Sequence, residues 1–153
     1  MSEIERRLAD MGIVLDAPPA PAANYVPFVI TGNQVFVSGQ ISQNAAGLIT
    51  GKLGADLTVD EGAAAAKTCA IALLAQLKAA AGGDIERLVR VVKLVGFVNS
   101  TPEFTDQPKV INGASDFLVA ALGERGRHAR SAVSAGSLPF GVAVEIEAVF
   151  EIE

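Results

Sequence analysis

His128-Ala-Arg-Ser-Ala-Val-Ser-Ala-Gly-Ser-Leu-Pro-Phe-Gly-Val-Ala-Val-Glu-Ile-Glu-Ala-Val-Phe150 is the stretch whose reading decides the fold. It reads as two strands joined by a turn around Pro139 and Gly141. From Val142 onward, Val142, Val144, Ile146, Ala148 and Phe150 fall on one side. Glu145, Glu147 and Glu151 fall on the other, because successive strand side chains alternate faces. One face of the sheet is therefore expected to be apolar and the other to carry carboxylates. Arg130, at the head of the first strand, is the expected partner of those carboxylates. A guanidinium beside carboxylates also suits the binding and hydration of a small anionic substrate.

Working outward, Phe28-Val-Ile30 and Val35-Phe-Val37 flank Thr31-Gly-Asn-Gln34, a hairpin signal. Val89 to Val98 reads as a strand with apolar residues on both faces. Val91, Val95 and Phe97 are expected on one, Val92, Leu94 and Val98 on the other. A strand buried on both faces needs two coverings. A helix layer supplies one; a second subunit or sheet must supply the other.

Three helices are predicted. Ser2-x-x-Glu5 is a capping-box pattern, with Ile4, Leu8 and Met11 at helical spacing and Gly12 as the stop. Thr58-Val-Asp-Glu61 caps the longest helix, running to about Ala81, with Ala63, Ala66, Ala70, Leu73, Leu74 and Leu77 as its inner stripe. Thr101-Pro102 and Pro108 precede the third, which ends near Leu122-Gly123 and carries Val110, Ala114, Phe117, Leu118 and Ala121 inward. Pro18, Pro19, Pro21 and Pro27 make residues 16–27 extended, and Ser42 to Leu57 reads as a loop rich in small residues. The order predicts an α+β sandwich with both long helices on one sheet face. One domain is expected over 1–153, with 1–24 as an N-terminal helix and proline-rich extension.

Half of the 153 residues are apolar and 19% are charged, which fits a globular chain with some surface covered by a partner subunit. The net charge of −5 and the lack of a basic run argue against binding to nucleic-acid phosphates. With one cysteine, Cys69, and one histidine, His128, there is no material for an internal disulfide, a zinc cluster or a histidine triad. Cys69 reads as a small buried hydrophobe, and His128, beside Arg125 and Arg127, as a surface residue. The charged, helical N-terminus is unlike a secretory leader, and no apolar run looks long enough to span a bilayer. A reducing, cytoplasmic setting is expected.

Among candidate site residues, Arg130 offers a planar fork for a carboxylate, and Glu145 a base for activating water. Glu147 lies on the same face and competes with Glu145 for that role. Gly39 allows backbone to approach a ligand closely. Ser38 has no adjacent base and is not expected to be a nucleophile. Tyr25 is the only tyrosine. Asn112 is a poor helix former inside a predicted helix, which suggests a job at a cleft or in satisfying a loop carbonyl.

Ala-Arg-Ser-Ala-Val at 129–133, Leu138-Pro139, Val-Glu-Ile-Glu-Ala at 144–148, Val37-Ser-Gly-Gln-Ile41 and Asn112 keep the order and spacing of one family from about Tyr25 onward. On these motifs the chain resembles the RidA/YjgF family, many of whose members are enamine/imine deaminases. The resemblance implies the chorismate-mutase-like fold: a mixed sheet, two long helices on one face, and a homotrimer around a central barrel with sites between subunits. It implies hydrolysis of small 2-enamine or 2-imine carboxylic acids to 2-oxo acids and ammonia, with no metal or organic cofactor. Arg130 would hold the substrate carboxylate and Glu145 the water. Tyr25, Ser38, Gly39, Asn112 and the backbone of Ala132 would line the pocket. The chain departs from the family in carrying Ala23-Asn24 where many members have Gly-Pro, and Ala132 where many have cysteine. The extra N-terminal helix and the Gly47–Gly54 loop mark a divergent branch. Two other readings stand beside this one: a non-catalytic protein that binds a small carboxylate or 2-oxo acid, and an endoribonuclease, which the acidic balance disfavours. Neither nucleic acid nor membrane is expected as a partner.

Overall fold

The computed structural model describes residues 1–20 and 23–153; Pro21, placed by its sequence in the extended proline-rich run, lies outside them. Helix α1, Glu3–Asp10, starts on the predicted capping box. The Ser2 hydroxyl accepts from the Glu5 N–H, and the Glu5 carboxylate accepts from the Ser2 N–H. Ile4 and Leu8 are buried beneath it. Strands β1, Phe28–Thr31, and β2, Gln34–Ile41, form the predicted hairpin. The stretch expected to be all loop holds a small hairpin of its own, β3 (Gln43–Asn44) and β4 (Gly47–Leu48). Helix α2, Val59–Ala80, begins on the second capping box, Thr58 with Glu61. Strand β5, Leu88–Asn99, helix α3, Gln107–Leu122, and strands β6, Ala129–Ala135, and β7, Val144–Ile152, follow.

The main sheet has the order β1-β2-β7-β5-β6, antiparallel except for the β5–β6 pair. Parallel neighbours need a crossover, and α3 provides it. The two strands of the opening segment therefore do not pair with each other; β5 lies between them. Strand β7 takes a central place because its alternating residues Val144, Ile146, Ala148, Phe150 and Ile152 are all buried. Val142 is buried as expected, but it precedes the strand, beyond the turn at Pro139–Gly141.

Strand β5 corrects the expected faces. Its buried residues include Leu88, Val91, Leu94 and Val98, so Val91 shares a face with Leu94 and Val98 and not with Val95 and Phe97. The pairing with β7 shifts between Leu88 and Arg90 and again between Val91 and Lys93. Each shift adds a residue and breaks the period of two.

Both long helices cover one face. Ala66, Ala70, Leu73, Leu74 and Leu77 of α2 are buried as predicted; Ala63 is only half-buried, and Gly62, Ala65 and Cys69 complete the stripe. A Cβ at Gly113 would run into the Ala63 carbonyl, so glycine in mid-α3 lets the two helices touch. Contrary to expectation, α2 is long and apolar enough to cross a bilayer by length and composition, although half of that window is buried inside the fold. Among the described residues no helix covers the other face. There Val29 and Phe36, at one edge of the sheet, and Val133, at the other, remain 52%, 43% and 44% exposed.

Candidate functional site

A bulge in β2 opens the first half of the site. Val37 pairs with Ala148 and Gln40 with Ile146, so Ser38 and Gly39 supply one residue more than β7 can match. A Cβ at Gly39 would collide with the Glu145 carboxylate, so a glycine here is what lets Glu145 lie across β2. The Ser38 hydroxyl donates to the Val26 carbonyl (2.9 Å) and its N–H to that of Pro27 (2.9 Å). These bonds tie the chain after Tyr25 to β2 and occupy the hydroxyl structurally. Tyr25, Ser38, Gly39 and Glu145 line one cavity of about 640 Å³. Burial, reinforced by the like charge of Glu147, holds the Glu145 carboxyl above the ordinary glutamate range. A carboxyl held above its ordinary range is a candidate for proton exchange with a bound molecule. Phe140, 80% exposed, lines the rim with φ 59°. A left-handed conformation at a non-glycine residue costs about 1–2 kcal/mol.

Arg130 belongs to a second cluster. Leu94 pairs with both Arg130 and Ala148, which places Arg130 on the helix side of the sheet. Glu145 and Glu147 pair with Phe97 and Val95, on the opposite side. The expected Arg130–carboxylate pair is therefore absent, because the interposed strand β5 sets the two residues on opposite faces. Among the described residues no carboxylate pairs with Arg130. The guanidinium instead donates to Asn112 Oδ1 (2.9 Å), Ser115 Oγ (3.1 Å) and the Pro108 carbonyl (3.4 Å). Asn112 thus satisfies an arginine, which explains its place in a helix.

His128 is half-buried, in contrast to its expected surface position, because it folds back onto Ser115. Its Nδ1 lies 2.6 Å from the Gly126 carbonyl and its Nε2 2.9 Å from Ser115 Oγ. A carbonyl only accepts, so Nδ1 carries the proton and Nε2 accepts from the Ser115 hydroxyl. The serine's lone pairs are then free to face Arg130. Burial, and secondarily the Arg130 charge, hold the His128 pKa below the ordinary value, while the Gly126 hydrogen bond opposes them. The spacing Asn112-x-x-Ser115 puts both residues on one helix face and is the sequence signal that would have flagged Ser115.

The expected site residues thus fall into two sets. Tyr25, Ser38, Gly39 and Glu145 share the cavity; Arg130 and Asn112 share the α3 edge, with Ala132 two residues along β6. One chain does not bring the sets together. Cys69 is fully buried, its Sγ 3.5 Å from the Val144 carbonyl, and burial together with the Glu145 charge pushes its thiol pKa far up, as suits an inert core residue.

The family model described as "YjgF/chorismate mutase-like, putative endoribonuclease" matches residues 5–149. This chain belongs to the RidA/YjgF family. Among its relatives, Protein TCP17 of Trypanosoma cruzi is 52% identical over 151 residues, 97% of this chain and 94% of that protein. The crystal structure of a protein with unknown function from Agrobacterium tumefaciens superposes with a TM-score of 0.91 at 49% identity, covering 99% of this chain and 93% of its own. The E. coli protein TdcF, solved with bound serine, gives a TM-score of 0.59 at 26% identity, covering 90% and 94%. Within the RidA/YjgF family, then, the extension ahead of Tyr25 has a counterpart in the Agrobacterium protein, which covers nearly all of this chain.

Proposed function

We propose that the protein hydrolyses small 2-enamine or 2-imine carboxylic acids to 2-oxo acids and ammonia, at sites completed between the copies of a homotrimer. The observation that carries this reading is the division of the site. A carboxylate poised for proton transfer lines an open cavity, and an arginine without an acidic partner is fixed at another edge of the same chain. A second copy that sets its Arg130 edge against the Glu145 cavity would join clamp and base. The uncovered sheet face, on which Val29, Phe36 and Val133 stay exposed beside the carboxylates of β7, supports such an assembly.

In this reading Arg130 clamps the substrate carboxylate through two parallel bonds, with Asn112 and Ser115 holding the fork. Glu145 accepts a proton from water as its oxygen bonds to C2. The C=N π pair moves to nitrogen, which takes the proton from Glu145 and restores its carboxylate. The carbinolamine then expels ammonia as its hydroxyl proton passes to the departing nitrogen, and the C2 carbonyl forms. The substrate is itself electrophilic, so these residues are sufficient for the chemistry. The single, deeply buried thiol suits a reducing compartment, and the cytoplasm is the setting proposed.

The test supplies 2-aminoacrylate from a coupled serine dehydratase and follows pyruvate. Hydrolysis faster than in buffer, lost in Glu145→Gln, is expected; no acceleration by folded protein would sink the reading. A second reading, a non-catalytic sensor of small carboxylates, draws on the TdcF structure with bound serine. It predicts that Glu145→Gln leaves binding intact and that no turnover is seen in wild type. Ribonuclease action is disfavoured by the net charge of −5.

A further inference from the structure

The cavity beside Glu145 is larger than a three-carbon acid needs. At about 640 Å³ it lies within the range, roughly 300–1,000 Å³, that holds far larger ligands. It follows helix α2 from Thr68 to Gln76, two turns or roughly 12 Å of axis. The Thr68 end lies nearest the strand that carries Glu145: the Gln43 N–H donates to Thr68 Oγ1, Cys69 Sγ meets the carbonyl of Val144, and the Glu145 charge is felt at Cys69. Residues 14–20 form the opposite wall. Leu15, Pro18, Ile71, Ala72 and Ala75 make the slot largely apolar.

At the other end stands Gln76, only 5% exposed. Among the described residues its Oε1 has no hydrogen-bond partner. A buried side-chain amide oxygen without a partner is rare in native folds and destabilising, so its presence in an otherwise oily slot points to a ligand group that completes it. We infer that this slot takes the side chain of the substrate, and that Gln76 selects 2-imino acids with a long side chain ending in a carboxamide or hydroxyl. The inference rests on the reading of Glu145 as the residue that activates water, since that places the reacting carbon at the slot's entrance. A carboxamide or a hydroxyl carries the donor that Gln76 Oε1 lacks. A site built around such a bond rejects an apolar side chain of equal length strongly, because binding it leaves the buried Oε1 unpaired.

The test compares imines of alanine, norleucine and glutamine, generated in place by an amino-acid oxidase, with semicarbazide competing for them. Wild-type protein should favour the glutamine imine at least tenfold in kcat/KM over each of the others. In Gln76→Leu and Gln76→Met the glutamine-to-norleucine ratio should fall to one or below. No preference in wild type, or an equal loss for all three imines in both variants, would overturn the inference. If no imine is hydrolysed at all, the deaminase reading fails by itself, and calorimetry decides the slot. There, 6-hydroxy-2-oxohexanoate binding tenfold tighter than 2-oxohexanoate, with the difference lost in both variants, would sustain it. Equal affinities, as for a slot that holds only water, or no binding, would sink it.

Discussion

Arg130→Ala separates the clamp from a purely structural arginine. The side chain makes three hydrogen bonds, all to neutral acceptors, and the one to Pro108 is long at 3.4 Å. Bonds from a charged donor contribute about 1.5–3 kcal/mol each when well enclosed. Here Asn112 is exposed and the guanidinium half-exposed, so the sum is discounted to roughly 1–3 kcal/mol. For a domain of this size that lowers Tm by about 3–10 °C. No carboxylate is stranded, so the roughly 3–5 kcal/mol lost on breaking a buried ion pair does not apply. Binding should suffer more. Removing a bidentate, charge-assisted contact worth about 1.5–3 kcal/mol weakens carboxylate affinity by roughly 10- to 150-fold. Calorimetry with 2-oxobutanoate, together with melting curves on the same preparations, measures both. Arg130→Lys should recover part of the stability and little of the affinity, since an ammonium lacks the fork. Affinity within twofold of wild type in Arg130→Ala refutes the clamp. So does a Tm loss beyond about 15 °C in a protein whose wild type binds no carboxylate.

The other expectations concern titration and reactivity. Glu145 must be ionised to accept a proton, so activity should fall with pH through a value above the ordinary 4.5; Glu147→Gln removes the neighbouring charge and should move that limb to lower pH, which a kcat/KM profile reads. Because its folded pKa is raised, Glu145 weakens the fold above that value, and Glu145→Gln should raise Tm at neutral pH but not below the ordinary glutamate range. His128 has the opposite sign: the unfolded chain binds its proton more readily, so stability should drop as pH falls below about 6.5, and His128→Gln should flatten that part of the Tm–pH curve. Cys69 should resist a thiol reagent in native buffer and react at once in denaturant; rapid native labelling would contradict its burial.

Local rules carried the reading of the fold a long way. Both capping boxes, the Gly-Asn hairpin and the alternation of β7 are decided by residues a few positions apart, and the structure keeps them all. The faces of β5 were not legible because its two register shifts exist only against β7. The relation of Arg130 to Glu145 failed for a kindred reason. Alternation orders side chains within a strand, but two strands share a frame only through the register of the strand between them. Ser115 and His128 meet across the crossover from α3 to β6, and no short motif announces such a contact. Gln76 was hidden differently: in a stripe of alanines and leucines, a lone glutamine carries no local signal that it is buried.

The segment over α2 is held at both ends. The Ile4 N–H donates to Glu86 (2.8 Å), Arg125 pairs with the same carboxylate (3.1 Å), and Ile4 and Leu8 are buried, while β1 secures the far side in the sheet. For a loop pinned in this way, each doubling of length costs only about 0.6 kcal/mol of closure entropy. A residue added to β7 would instead reverse every face beyond it. Insertions and deletions near residues 14–20 are thus the mildest route by which this architecture can acquire a new preference, in natural divergence or in a designed library. The depth of the slot can be retuned there while Glu145, Gly39 and Arg130 stay where they are.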